Sequence, residues 1–310
     1  MRSPTRRDLD LRTLDTWIAP VLGASVREAS ELSGGTFAAV WRATLTDGRE
    51  IVVKTAAAPE ARLLRYEAGL LAAESAYYQR VRDLAPVPEV LHLADDWLAV
   101  TLLPGQPLTE LDNTDGVREQ LGATIARVHD LTGSRFGYTG ARASGADWPT
   151  AFAAIVDDLL ADARDWSVRL PSGIAETVER HRACLATVTR PALLHWDLWD
   201  GNVLAHDGVL TGLVDGERYL YGDPLLDLVS PALFRRIEDE PDNPFLRGYA
   251  AATGLVLDDA ARTRLALYRM HLYTLMVTEC PSRGEPRDGE RATYLTGLLE
   301  SELHLLGQTT

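Results

Sequence analysis

Between residues 192 and 215 short apolar runs are interrupted by HWDLWDGN and then by His206-Asp207-Gly208. Such runs are too short for core helices and read as two small strands around a polar loop. The loop lies in LLHWDLWDGNVL, residues 193–204, and carries His195, Asp197 and Asn202 in an H-x-D-x-x-x-x-N spacing. The run LTGLVD then closes on Asp215. A fold built around this segment must gather two carboxylates and an amide where strands end.

The region upstream reads as a small α/β lobe. Residues 38–45 and 50–54 alternate in polarity and flank Thr46-Asp47-Gly48-Arg49, a hairpin whose Asp-Gly pair supplies positive φ angles. A flexible loop, Ser33-Gly34-Gly35-Thr36, precedes it. A helix is expected over residues 63–82, and Pro86-Val87-Pro88 ends that stretch. Short strands follow at residues 89–92 and 97–103, before a boundary at Pro104-Gly105. The division expected is therefore an N-terminal lobe of residues 1–103 and a C-terminal lobe of residues 104–310.

Beyond the boundary the pattern is mostly helical. Val117, Leu121, Ile125 and Val128 recur at helical spacing within residues 115–129. Residues 150–163 and 172–187 read as further helices. Residues 258–306 do too, broken by the polar stretch 281–289.

The chain uses 31 basic residues, yet only one of them, Lys54, is a lysine. A lone lysine in an arginine-rich chain marks a place that needs a compact ammonium rather than a planar fork. Net charge is −14, which disfavours nucleic acid and anionic membrane as partners. If that acidity is concentrated in the substrate half of a cleft, it favours a cationic acceptor. No apolar run reaches the length of a membrane span, and residues 1–10 are polar, so a cytoplasmic location is expected. Cys184 and Cys280 are too few for a disulfide framework and lack metal-site spacing.

The chemistry that unites these residues is phosphoryl transfer. One carboxylate accepts or orients the proton of an attacking hydroxyl, while an amide oxygen and a second carboxylate hold Mg²⁺ against the phosphates. On these motifs, over roughly residues 30–230, the chain resembles the aminoglycoside phosphotransferase family. Those are protein-kinase-like enzymes that also include fructosamine, choline and macrolide kinases.

The resemblance implies an α+β, two-lobed, protein-kinase-like fold with a small antiparallel-sheet N-lobe, a larger helical C-lobe and a nucleotide between them. It assigns Asp197 as the catalytic carboxylate and His195 as a structural member of the catalytic loop. Asn202 and Asp215 become Mg²⁺ ligands. Ser33, Gly34, Gly35 and Thr36 become the loop over the phosphates, although the full G-x-G-x-x-G is absent. Lys54 is the lysine on the α- and β-phosphates, with Glu74 favoured over Glu67 as its ion-pair partner. Thr101 and Leu103 bound the hinge that pairs with the purine.

Trp196 and Trp199 read as packing residues, and Asp223 and Asp227 as braces of the catalytic loop. Glu217 is a candidate assistant to the metal. His271, Tyr273 and Glu279 are candidate substrate contacts. Trp196 replaces a residue that is usually small in the family. Only about a dozen residues separate Asp215 from Asp227, which leaves no activation segment or peptide platform.

The expected activity is therefore an ATP- or GTP-dependent kinase of a small hydroxylated molecule, with an antibiotic as first candidate. A metabolic kinase of a sugar or amino alcohol is the alternative. A nucleotide-binding pseudokinase is the reading from another class.

Overall fold

The computed structural model describes residues 4–7, 9–32 and 37–308. The expected phosphate loop, Ser33 to Thr36, lies outside the described residues.

The N-lobe opens with α1 (Leu11–Leu22), a helix beyond those expected from the sequence. Asp10 caps it by accepting from the Thr13 N–H at 2.8 Å, and Gly23 stops it at φ 70°. β1 (Val26–Glu31) was also not foreseen. β2 (Val40–Leu45) and β3 (Glu50–Thr55) form the expected hairpin, with Gly48 at φ 90°. After α2 (Leu70–Val81) come β4 (Val90–Leu93) and β5 (Trp97–Thr101). The five strands form one antiparallel sheet in the order β1-β2-β3-β5-β4.

α1 lies on one face of this sheet. Leu14 and Ile18 are fully buried with Ala43, Leu45, Ile51 and Val53, and Trp17 stacks on Trp97 at 5.9 Å. Each such aliphatic side chain contributes about 1.5–3 kcal/mol on burial.

The single helix expected over residues 63–82 is in fact two pieces. A 3-10 turn at Arg65–Glu67 is followed by extended Ala68 and left-handed Gly69 (φ 70°), so α2 starts only at Leu70. A glycine takes that φ without the Cβ penalty, and the break changes the direction in which Glu67 points.

The C-lobe contains β6 (Gln106–Pro107), α3 (Asp115–Val128), β7 (Phe136–Gly137), β8 (Ser144–Gly145) and α4 (Trp148–Asp165). The helix expected over 172–187 is divided at His181 into α5 (Ile174–Arg180) and α6 (Arg182–Leu185). Residues 192–215 hold three strands rather than two: β9 (Ala192–Leu194), β10 (Val203–His206) and β11 (Val209–Leu213). Asp207 and Gly208, both at positive φ, turn β10 into β11. β12 (Leu220–Gly222) pairs with β9, and α7 (Pro244–Thr253), α8 (Asp259–Glu279) and α9 (Glu290–Gln308) complete the lobe. One apolar core runs from α2 and β5 through the C-lobe helices. It joins α2 and β5 of the N-lobe to β9, β10 and β11. No helix among the described residues is long and apolar enough to cross a membrane.

Candidate active site

β9 is buried along its whole length and delivers the chain to His195. The His195 N–H and the Trp196 N–H donate to the two oxygens of Asp227, at 2.8 and 2.6 Å. Asp227 is itself fully buried and also accepts from His129 Nε2 at 3.0 Å, so one carboxylate clamps the turn. Trp196 takes φ 74°, a left-handed conformation that costs a non-glycine about 1–3 kcal/mol. Its ring lies stacked on His271 at 5.1 Å. Asp227 therefore braces the loop as the sequence reading expected. Asp223 does not, because it accepts from Arg264 Nε (2.8 Å) and the Tyr268 hydroxyl (2.7 Å) and ties the chain to α8.

The His195 ring works as a spacer. Its Nε2 donates to the Val214 carbonyl at 3.0 Å, and its Nδ1 accepts from the Asp197 N–H at 3.2 Å. Burial lowers its pKa, which fits this neutral tautomer. Asp197 is thereby held at the lip of the cleft with its carboxylate a quarter exposed. Burial pushes its pKa up, and the guanidinium of Arg218, 3.8 Å away, pulls it back.

Asn202 donates through Nδ2 to the Asp197 carbonyl at 2.9 Å. That leaves its amide oxygen without a donor among the described residues. Val214 N–H donates to the Asn202 carbonyl at 3.0 Å, which sets β11 beside the loop and carries the chain to Asp215. Asp215 stands at φ 61°, and its N–H donates to the Tyr78 hydroxyl at 3.1 Å. The next residue, Gly216, is pressed against α2. A Cβ there would lie 2.3 Å from the ring of Tyr77.

Lys54, near the end of β3, is nearly buried and pairs with both Glu74 of α2 and Asp215. Burial alone would lower its pKa. Asp215 and Glu74 outweigh that and hold the ammonium well above the usual lysine range. The same pairing keeps Asp215 below the usual carboxylate value, outweighing the desolvation that its half-buried place imposes. Glu217 is different. Burial, with Asp215 and Glu74 close by, raises its pKa to about 8, and its Oε2 has no hydrogen-bond partner among the described residues. Ligand oxygens of Glu74, Asp215 and Glu217 lie within 4.8 Å of one another. Glu67 takes no part, since its carboxylate pairs with Arg283 at 2.6 Å.

These groups line a cleft of about 690 Å³, with Phe37 and Val40 on the N-lobe side and Trp199, Arg218 and Arg283 on the other. Trp199, expected to pack inside, is 38% exposed and faces the cleft; only Trp196 is buried. His271 and Tyr273 are buried within the C-lobe and do not line this cleft. Glu279 is held by Arg218 at 2.9 Å and Arg283 at 3.1 Å. Thr101 and Leu103 stand apart from this cleft. The Thr101 N–H donates to Glu89, whereas the Leu103 N–H donates to no described residue.

Residues 28–268 match the model of the phosphotransferase enzyme family. A probable ketoamine kinase of Lactiplantibacillus plantarum is 22% identical over 278 residues, 83% of this chain and 90% of the relative. A provisionally assigned fructosamine-3-kinase from Thermobifida fusca superposes with a TM-score of 0.70 at 23% identity, covering 95% of this chain and 100% of its own. A thermostable mutant of the aminoglycoside phosphotransferase APH(4)-Ia, in a ternary complex with ADP and hygromycin B, superposes at 0.66. It is 17% identical, and the match covers 96% of this chain and 100% of that one. At these identities the superpositions establish the kinase-like fold.

Proposed function

Because the chain belongs to the phosphotransferase enzyme family and is a small-molecule kinase, we propose that it phosphorylates a hydroxyl of a ketoamine, a sugar carrying an amine, with ATP as donor. The observation that carries the reaction is the convergence of Asp197, Asn202, Asp215 and the Lys54–Glu74 pair on one cleft. The ketoamine assignment rests on the names of the relatives and on the exposed indole of Trp199, a flat apolar face on which a sugar ring can lie. A ketoamine is cationic at its amine, in keeping with the acceptor expected from the chain's acidity.

In this reading the acceptor hydroxyl gives its proton to an Asp197 oxygen as its own oxygen bonds to the γ-phosphorus. The bond from that phosphorus to the β,γ-bridging oxygen breaks, and ADP leaves. Asp197 must be ionised to receive the proton. Lys54 meets the α- and β-phosphates, while Thr101 and Leu103, which do not line this cleft, remain the proposed hinge for the purine at its far end, with the Leu103 N–H, unpaired among the described residues, as a donor. Ser33, Gly34, Gly35 and Thr36 remain the proposed cover of the phosphates.

The donor set around Asp215 is all oxygen, and the unpartnered Glu217 Oε2 beside it suits a hard divalent cation. Asn202 and Asp215, with Glu217 beside them, would hold Mg²⁺, which supplies charge neutralisation to the transferring phosphoryl group. The nucleotide supply of the cytoplasm is the setting such a reaction needs.

A phosphorylation screen with mass detection tests the assignment, with ketoamines, unmodified sugars, amino alcohols and aminoglycosides run side by side. The expected result is a single phosphate gained by a ketoamine in preference to the others. Preference for an aminoglycoside would replace the acceptor with an antibiotic and leave the reaction standing.

A further inference from the structure

Arg283 sits on the 3-10 turn Pro281–Arg283 that follows α8, in the C-lobe, yet most of its contacts are with the N-lobe. Its Nη1 pairs with Glu67 Oε1 at 2.6 Å. Its Nη2 donates to the Tyr66 hydroxyl at 3.0 Å and to Glu279 Oε1 at 3.1 Å. Its guanidinium lies 4.9 Å from the ring of Phe37, which lines the cleft shortly before β2. The side chain is 7% exposed and that of Glu67 is fully covered.

We propose that Arg283 is a positioning residue for phosphoryl transfer, a latch from the C-lobe that holds the turn leading into α2, and through α2 the Glu74–Lys54 pair. The proposal rests on the reading of the cleft as a phosphoryl-transfer site. α2 is secured at two points: Glu74 grips Lys54 from within the helix, and Glu67 grips Arg283 just ahead of it. Arg218 shares Glu279 Oε1 with Arg283 and reaches Asp197, so the chain of charges runs from the α2 entrance to the catalytic loop. Kinases whose αC helix is regulated depend on a long segment after the metal-binding Asp to set that helix. Here Asp227 follows Asp215 by only twelve residues, and Arg283 supplies a permanent hold instead. A planar fork can serve two carboxylates and still sit over an aromatic ring, so lysine is a poor substitute.

Hydrogen exchange of the ligand-free protein reads the hold directly. In Arg283→Met, amides of residues 70–81 should exchange at least tenfold faster than in the parent, while those of residues 290–308 change less than twofold. The Kd for Mg·AMP-PNP should rise at least tenfold, and Arg283→Lys should recover only part of both effects. Glu67→Gln opens the same pair from its other side and should reproduce the local pattern, which covers the case in which Arg283→Met does not fold. Unchanged exchange in α2, or a uniform rise across both lobes, overturns the latch. Failure of the parent protein to bind Mg·AMP-PNP contradicts the phosphoryl-transfer reading instead, and exchange in α2 still decides whether Arg283 holds the helix.

Discussion

Glu67 and Glu74 are seven residues apart in sequence and bind opposite lobes, Glu67 to Arg283 of the C-lobe and Glu74 to Lys54 of the N-lobe sheet. On one continuous helix the two would share a face and compete for the same lysine. The left-handed Gly69 between them removes the competition. The site is thus arranged around a helix that starts late.

Lys54 is the first point at which this arrangement can be tested. Lys54→Ala leaves Glu74 buried without its cation, a change that typically costs about 3–5 kcal/mol of stability. Lys54→Arg should also lose most nucleotide use, because a planar fork cannot occupy the compact position between Glu74 and Asp215. Thermal unfolding and kcat/KM for ATP measure the two effects. Near-parental kcat/KM in the arginine variant would remove the significance of the lone lysine.

Asp227 offers a second test, away from any ligand. Asp227→Asn keeps the shape but turns one acceptor oxygen into a donor facing a backbone N–H or His129. A loss of about 1–3 kcal/mol is expected for one buried group left unsatisfied, with turnover falling as the loop loosens. Urea unfolding beside steady-state kinetics would show both. Unaltered stability would mean that the clamp contributes nothing.

Two effects oppose each other at Trp196. Replacement by glycine relieves the strain of its φ 74°, worth about 1–3 kcal/mol. It also empties the space stacked on His271, and removing a buried large aromatic typically costs about 3–5 kcal/mol. The cavity should win, so Trp196→Gly is expected to lower stability by about 2 kcal/mol. A glycine variant more stable than the parent would show that the strain dominates.

The pH dependence follows from Asp197 and Arg218. Burial raises the Asp197 pKa and Arg218 lowers it, and the proposed reaction needs the ionised carboxylate. The acidic limb of kcat/KM should therefore lie above the ordinary carboxylate range in the parent. It should move to higher pH in Arg218→Met, where the restraining charge is gone. A limb that stays in place, or moves to lower pH, argues that another group controls it.

Much of this was legible in the sequence because it is local. Asp47-Gly48 announced the β2–β3 hairpin, and the spacing of Asp197, Asn202 and Asp215 is set by one loop and one strand pair. What escaped depends on tertiary contact. α1 had a capping Asp10 and a closing Gly23, but Pro20 within it reads as a helix breaker, and its apolar stripe has meaning only against the sheet. The exposure of Trp199 could not be told from the burial of Trp196, since both stand in the same loop. His271 and Tyr273 stood out as polar side chains within a helical region, yet α8 is packed on nearly every side.

The central claim is that Asp197 serves the chemical step while the phosphates are held by other groups. Asp197→Asn keeps the size of the side chain and removes the proton acceptor, which typically costs on the order of 10²–10⁴-fold in rate. The direct measurement is titration of this variant with Mg·AMP-PNP alongside kcat on the acceptor that the screen identifies. The account predicts nucleotide affinity within a few-fold of the parent and loss of nearly all turnover. Parental turnover in Asp197→Asn would contradict it.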